Sequence, residues 1–172
     1  STTYAYLAYQ TAYLKANYPW HFASALLTIE AQNTEKLAMY LGEARDRGIP
    51  VLPPDINESQ LRFTVEEKGV RYGLTAIKNV GEGAIENIVA AREAGGPFRS
   101  LEDLCGRIDL QRNNKRVLES LIKAGACDAF GPRLAQLIRL DAALAVGQRE
   151  QKDRASGQVA LFDLAAEPAI AA

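Results

Sequence analysis

Two glycines, Gly81 and Gly83, lie between short apolar stretches and offer the clearest chemistry in this chain. Ile77 and Val80 precede them and Ile85 follows, so the order is apolar-x-x-apolar-Gly-x-Gly-x-apolar. Glycine permits a tight turn and leaves room for a second backbone to approach. A helix that opens at Gly83 has main-chain amides without intrahelical partners, at the positive end of the helix dipole. The spacing therefore predicts a phosphate site.

This pattern is typical of a helix-hairpin-helix, a module that binds the nucleic-acid backbone without reading bases. The candidate contacts are six consecutive residues: Lys78, Asn79, Val80, Gly81, Glu82 and Gly83. A compact turn that only packs two helices together has the same pattern, so that alternative remains open. A dinucleotide-binding turn is excluded, because the chain has neither a strand just before the glycines nor a third glycine.

A cluster of cations is the second candidate contact. Between Arg107 and Arg116 the chain has four Lys or Arg residues against one Asp. We take Arg112, Lys115 and Arg116 as candidates for binding phosphates. The formal net charge of −1 argues against a generally basic nucleic-acid binder, whereas a local basic loop fits backbone contact in one place. A merely solvated surface explains the same charges equally well.

A second, degenerate hairpin follows. Asn114 begins a helix with four apolar residues at helical spacing, Val117, Leu118, Leu121 and Ile122. This helix ends near Gly125, so the second hairpin has one glycine where the first has two. Two stacked units would reach successive phosphates, so Gly125 joins the candidate DNA contacts.

The first fifty residues predict three helices, over residues 3–17, 21–31 and 35–47. In the first helix Tyr6, Tyr9, Tyr13 and Leu14 share a face. Helical spacing favours packing of this face in a core over the alternative, a platform on which bases stack. The single histidine, His21, has no partner at metal-ligand spacing and is interpreted as structural.

The middle of the chain predicts a small sheet, and its end predicts one more helix. Residues 51–57 contain paired prolines and are interpreted as a rigid connector. Strands over residues 61–65 and 70–72 form a hairpin that turns at Gly69. A helix over residues 132–145 precedes a polar stretch without helical period. The predicted fold is mainly α: a helical bundle with a small β-hairpin and a tandem helix-hairpin-helix.

The two cysteines, Cys105 and Cys127, lack zinc spacing and have apolar neighbours, which favours buried thiols in a reducing cytosol. No signal peptide and no long apolar run is present, so no membrane partner is expected. The chain begins at Ser1, and we expect it to be a piece of a longer protein.

A short apolar motif lies in the polar tail. Gln158, Leu161 and Phe162 have no periodic partner before them. Two large apolar side chains with a Gln amide have the format of a peptide that docks in a pocket of a partner. A tail that folds back on its own domain is the alternative.

Several stretches together resemble the bacterial replicative DNA polymerase III alpha subunit family, the family C polymerases. They are residues 9–15, 52–57, 73–83 and 114–126, and the likeness extends over about residues 1–164. It implies that residues 1–50 are the helical end of the fingers domain. It also implies that residues 51–146 are a DNA-binding domain with the β-hairpin and helix-hairpin-helix, and residues 147–172 a flexible tail. Gln158, Leu161 and Phe162 match the family's clamp-binding pentapeptide Gln-x-x-Leu-Phe.

The resemblance implies a role in DNA replication within a DNA-directed DNA polymerase, a nucleotidyltransferase of the bacterial cytoplasm associated with the nucleoid. The implied partners are double-stranded primer–template DNA, the sliding clamp and the remainder of the alpha subunit. The palm, whose aspartates hold Mg²⁺ in the parent polymerase, is absent. We therefore expect no catalytic residue, no metal site and no cofactor in this segment, and no polymerase activity by itself.

The segment departs from the family at Asn17, where a His is common. The alternative function is a structural or protein-interaction module of the polymerase without direct DNA contact.

Overall fold

The computed structural model describes residues 2–155, which form seven α-helices and a three-stranded sheet. The elements are α1 (Thr2–Asn17), α2 (Pro19–Ile29), α3 (Thr34–Asp46), β1 (Val51–Leu52), β2 (Thr64–Glu66), β3 (Gly69–Arg71), α4 (Glu82–Gly95), α5 (Leu101–Arg107), α6 (Lys115–Ala124) and α7 (Arg133–Ala155). The mainly α fold with a small β-hairpin is confirmed. None of the described helices is both long and apolar enough to cross a membrane.

The aromatic face of α1 is exposed, and the prediction that it packs in the core is wrong for the described residues. Tyr6 is 63% exposed, Tyr9 68% and Tyr13 50%, and no residue of α1 is buried. The helix packs on α2, and Lys15 near its end forms an ion pair with Glu43 at 2.8 Å. Helical spacing shows which residues share a face, but not whether another element covers that face.

A side-chain cap begins α3, and a side-chain hydrogen bond joins α2 to the residue before β2. The Asn33 side chain accepts a hydrogen bond from the amide of Lys36 at 3.1 Å, as expected of an N-cap. Gly48, with φ of 71°, lies just past the end of α3, where a left-handed residue is favoured. The buried hydroxyl of Ser24 donates to the carbonyl of Phe63 at 2.8 Å.

The sheet has the order β1-β3-β2. The predicted hairpin is confirmed, because β2 and β3 pair antiparallel and turn at Gly69, whose φ is 152°. Val51 and Leu52, predicted as part of a connector, instead form a strand that pairs parallel to β3. The carbonyls of Pro50 and Leu52 accept from the amides of Val70 at 2.8 Å and Tyr72 at 3.1 Å. The paired prolines Pro53 and Pro54 follow this strand, so their missing amides do not interrupt it.

Two hydrophobic clusters form the interior. The first cluster joins α2, α3 and the sheet through seven buried residues: Ala23, Leu27, Leu37, Ala44, Ile49, Phe63 and Val70. The second cluster joins α4 to α7, and its fully buried members include Ile85, Ile88, Leu104, Leu118, Leu121, Ile122 and Leu140. Tyr72 packs against both clusters, and its ring centroid lies 4.8 Å from that of Phe63.

Helix α7 continues to Ala155, ten residues beyond the predicted end, and packs on α5 and α6. Its polar half contacts α5 and the residue that follows it. Gln151 donates its side-chain amide to the carbonyls of Cys105 at 3.0 Å and Ile108 at 2.7 Å. Gly147 lies so close to α5 that a Cβ would be 2.6 Å from the Cys105 oxygen. These polar and small residues hold the last turns of α7 in place. They lack the helical spacing of apolar residues from which a helix is predicted.

Candidate nucleic-acid interface

The corner before α4 presents unpaired main-chain amides to solvent. Gly81, the N-cap residue, has φ of −84° and ψ of 154°, and its carbonyl accepts from the amides of Ala84 at 3.1 Å and Ile85 at 3.3 Å. The amides of Glu82 and Gly83 precede these bonds, and no acceptor among the described residues pairs with them. Gly81, Glu82 and Gly83 are exposed. The predicted anion site therefore faces outward.

The left-handed residue of this corner is Asn79, not a glycine. Asn79 has φ of 66°, whereas neither Gly81 nor Gly83 has a positive φ. A Cβ added at either glycine would meet no atom within 4 Å. The tight turn that glycine would permit is thus not used at these two positions, since an L residue fits there without strain. The other expected effect of glycine is present: without a Cβ at Gly81 or Gly83, an external group has open space beside the exposed amides.

The element that precedes the corner is shorter than predicted. A single 3₁₀ turn at Leu74–Ala76, rather than a helix, leads into it. The apolar residues of the motif, Ile77, Val80, Ile85, Ile88 and Val89, are all buried in the second cluster, which confirms their predicted packing. The guanidinium of Arg92, 8% exposed, donates to the carbonyls of Ile56 at 3.0 Å and Ser59 at 2.9 Å. This contact fixes α4 to the turn after β1.

The structure brings one of the predicted loop cations to the corner. Nη2 of Arg116 donates to Oδ1 of Asn79 at 2.9 Å. Lys78 is exposed beside Asn79. The start of α6 therefore lies against the turn before α4, and the two candidate phosphate contacts predicted from separate stretches form one surface.

The other two loop cations are paired with carboxylates. The ammonium of Lys115 lies 2.6 Å from Asp141, whose hydrogen bond raises the pKa of Lys115. Arg112 lies 3.5 Å from Asp109. Arg112 and Lys115 remain exposed, so a phosphate can reach them, but it would compete with the carboxylate that is already there.

Gly125, like Val80, is buried, whereas the remaining candidates are exposed. It is the left-handed C-cap of α6, with φ of 91°, and its amide donates to the carbonyl of Ile122 at 3.0 Å. The next amide, of Ala126, donates to Leu121 at 3.0 Å. Main-chain amides at this corner are used within the chain, in contrast to those at Glu82 and Gly83.

A groove beside the corner contains residues that the motif did not predict. It has a volume of about 540 Å³, and its lining includes Tyr72, Lys78, Asn79, Ser120 and Lys123. Arg116, Ser120 and Lys123 are spaced i, i+4 and i+7 along α6, so they share one face of the helix. This spacing is the signal that would have predicted their common position.

The proposed clamp motif, Gln158, Leu161 and Phe162, lies outside the described residues.

Comparison with known proteins agrees with this geometry. Residues 48–137 match the family described as "Helix-hairpin-helix motif". The chain is 48% identical over 168 residues to DNA polymerase III subunit alpha of Thermus aquaticus, which covers 98% of this chain and 14% of that protein. It is 46% identical over 169 residues to the same subunit of Escherichia coli K12, covering 97% of this chain and 15% of the relative. These relatives confirm the resemblance predicted from the sequence, and the chain spans only about 15% of their length.

Proposed function

The chain belongs to the helix-hairpin-helix family, and on that premise we propose that it binds the backbone of duplex DNA without selecting its sequence. The observation that carries this proposal is the corner before α4. There the amides of Glu82 and Gly83 are exposed and unpaired, with the ammonium of Lys78 close by in sequence. Amides at a helix N-terminus, the helix dipole and a cation together stabilise a phosphate oxygen.

The cations of the loop contribute unequally to this contact. Arg116 is held against the corner by Asn79 and adds positive charge there. Lys115 strengthens binding less, because a phosphate has to replace its bond to Asp141 at 2.6 Å, whereas the exposed pair of Arg112 with Asp109 at 3.5 Å is weak. With a formal net charge of −1, the whole chain gains little long-range attraction to DNA. We therefore expect weak and strongly salt-dependent binding by the isolated chain.

The test is a titration of fluorescent duplexes of two unrelated sequences at low and moderate salt. Lys78→Gln and Gly83→Val should weaken binding to both duplexes equally, because phosphate contacts carry no base information. Lys152→Gln, an equal charge change on the exposed end of α7, is the control and should bind like the original chain. Unchanged affinity in both Lys78→Gln and Gly83→Val would favour the alternative, a structural or protein-interaction module without DNA contact.

We further infer that this activity serves DNA replication as part of a polymerase alpha subunit. The support is the identity to alpha subunits over 94% or more of the chain. The remainder of such a subunit is then a partner, and its palm with Mg²⁺ supplies the nucleotidyl transfer. The segment itself contributes duplex binding rather than a catalytic residue. A primer-extension assay with the 172-residue chain should therefore yield no product, and extension by this chain alone would contradict the assignment.

Tethering of a sliding clamp is the finer part of the proposal. Its support is the Gln-x-x-Leu-Phe sequence at Gln158, Leu161 and Phe162 together with the polymerase relatives. A tether raises the effective concentration of DNA at the corner, which compensates for weak phosphate contacts. Replacing Leu161 and Phe162 by Ala should abolish binding to a bacterial sliding clamp in a pull-down, whereas Leu164→Ala should not. Retained binding by the double variant would refute the tether.

A further inference from the structure

We propose that the groove between the Lys78–Asn79 turn and α6 is a second binding subsite for the DNA backbone, with Lys123 as its cation. This inference rests on the proposed function, and it assigns to DNA binding a helix face that the glycine motif does not include. The ligand is a phosphodiester of duplex DNA that follows the one held at Gly83.

The lining of the groove combines exposed cations with apolar residues. Lys78 and Lys123 are both exposed, and Ser120 lies one turn before Lys123 on α6. The apolar residues of the lining include Pro54, Ala76, Ile77 and Ala124, together with the ring of Tyr72. Cations suit the phosphate, and carbon-rich walls suit the deoxyribose next to it. Such a surface offers no set of donors and acceptors that would distinguish one base from another.

Lys123 is more available to a ligand than Lys115, and it is as exposed and as loosely paired as Arg112. Its nearest carboxylate, Glu119, is 3.5 Å away, whereas Lys115 lies 2.6 Å from Asp141. The side chain of Lys123 is 63% exposed. An exposed ion pair at this separation within one helix contributes little, so its exchange for a phosphate costs little.

A hydrogen bond joins the two elements that carry the lysines of the groove. Arg116 of α6 donates to Asn79, the neighbour of Lys78 in the turn. The buried residues of α6 and of the turn, among them Leu121 and Ile77, pack in the same hydrophobic cluster. The groove is therefore present without DNA. A preformed site loses less conformational entropy on binding than one that must be assembled.

The matched control is Lys152, which is exposed on α7. Arg133, near the start of that helix, donates to the carbonyl of Lys123 at 3.2 Å. At ~1.5 Å per residue, Lys152 lies about 28 Å further along the helix axis than Arg133. Lys152 therefore has the same charge as Lys123 and also lies on a helix, but it does not line the groove.

The first experiment measures duplex affinity against salt for the 172-residue chain and for Lys78→Gln, Lys123→Gln and Lys152→Gln. Loss of one phosphate contact should make the slope of log affinity against log salt less steep by about 0.9. We expect that change in Lys78→Gln and in Lys123→Gln, but not in Lys152→Gln. If Lys78→Gln weakens binding while Lys123→Gln behaves like Lys152→Gln, the groove inference is overturned and the proposed function stands. If neither groove lysine matters, the groove inference is overturned, and the proposed function is overturned with it when Gly83→Val also binds like the original chain.

The second experiment locates the DNA directly. Cys105 and Cys127 are buried, so a cysteine introduced on the surface can be labelled selectively. Lys123→Cys and Lys152→Cys would each carry a photoreactive aryl azide and be irradiated with a duplex. We expect cross-links from position 123 and few from position 152, at similar yield for unrelated sequences. Equal yields at the two positions would overturn the inference that the groove binds DNA and would favour a protein as its ligand.

Discussion

Arg116 and Asn79, which are 37 residues apart, are joined by a hydrogen bond of 2.9 Å between Nη2 and Oδ1. The bond links the first turn of α6 to the corner before α4. One of its partners is a cation expected near DNA, and the other is a residue in a conformation that few side chains adopt. The bond holds the start of α6 against the turn before α4, and these two elements together form the candidate phosphate-binding surface.

The left-handed conformation of Asn79 gives the first prediction. Asn79→Ala should lower the free energy of unfolding by roughly 1 kcal/mol more than Asn79→Gly does, because only glycine adopts this conformation without steric cost. Both variants lose the bond to Arg116, so their difference isolates the backbone effect. Urea denaturation measures it. Equal stabilities of the two variants would show that the turn can relax.

The second prediction separates folding from binding at Gly83. Gly83→Ala should leave the free energy of unfolding unchanged or slightly higher, since a Cβ there meets no atom within 4 Å. Its affinity for duplex DNA should fall roughly tenfold, the equivalent of one charge-assisted hydrogen bond of about 1.5 kcal/mol. Thermal melting and a duplex titration measure the two effects.

The control for Gly83→Ala is Gly42→Ala in α3, where an added Cβ also meets nothing within 4 Å. It should stabilise the helix and leave DNA affinity as it was. A loss of stability in Gly83→Ala, or an affinity equal to that of Gly42→Ala, would contradict the interpretation that the space in front of the amides is reserved for a ligand.

The third prediction tests the close packing of α7 on α5. Gly147→Ala should destabilise the protein by roughly 1–3 kcal/mol, because its Cβ would be 2.6 Å from the carbonyl oxygen of Cys105. Gly42→Ala, which adds the same methyl group to an open helical position, should instead stabilise it. Chemical denaturation of both variants is the measurement, and similar effects in the two would mean that α7 does not approach α5 this closely.

The fourth prediction concerns acid. The hydrogen bond from Arg71 lowers the pKa of Glu66 below its ordinary value of 4.5. A lowered carboxyl pKa contributes stability that is present above pH 4.5 and is lost as pH falls through the lower, folded-state value. Arg71→Met should therefore flatten the decline of melting temperature below pH 4.5. Arg45→Met, which removes an exposed arginine without an ion-pair partner in the described part of the chain, should keep the decline of the original protein.

The fifth prediction concerns the thiols. Burial raises the pKa of both Cys105 and Cys127 to about 12, so neither forms a thiolate near neutral pH. Iodoacetamide at pH 8 should leave both unmodified in the folded protein and alkylate both in guanidinium, as read by mass spectrometry. Rapid modification of either cysteine under native conditions would show that α5 or the end of α6 opens locally.

Local chemistry was readable from the sequence. Asn33 and Ser100 are residue types that favour N-caps, and their side chains accept from the amides of Lys36 and Asp103 at 3.1 Å each. The apolar spacing around Ile85 correctly predicts burial. In these cases the interacting residues are neighbours along the chain, so spacing alone determines the contact.

Contacts between distant stretches were not readable in the same way. The exposure of Tyr9 depends on which elements lie near α1, and no local rule gives that. The last turns of α7 depend on carbonyls of α5 that accept from Gln151. Lys123 lies outside the glycine motif and reaches the candidate site only because α6 folds against the corner. Each of these is a tertiary effect that outweighs local periodicity.

Tyr72 is half-buried, packs against both hydrophobic clusters and lines the groove beside Lys78. Because one ring is shared by the two clusters and the groove, a movement of α2 and α3 relative to α4 would reach the lining of the groove through Tyr72. Such a movement would change the width of the groove without a separate hinge. Under the proposed function, this change would loosen or tighten the contact with a DNA strand.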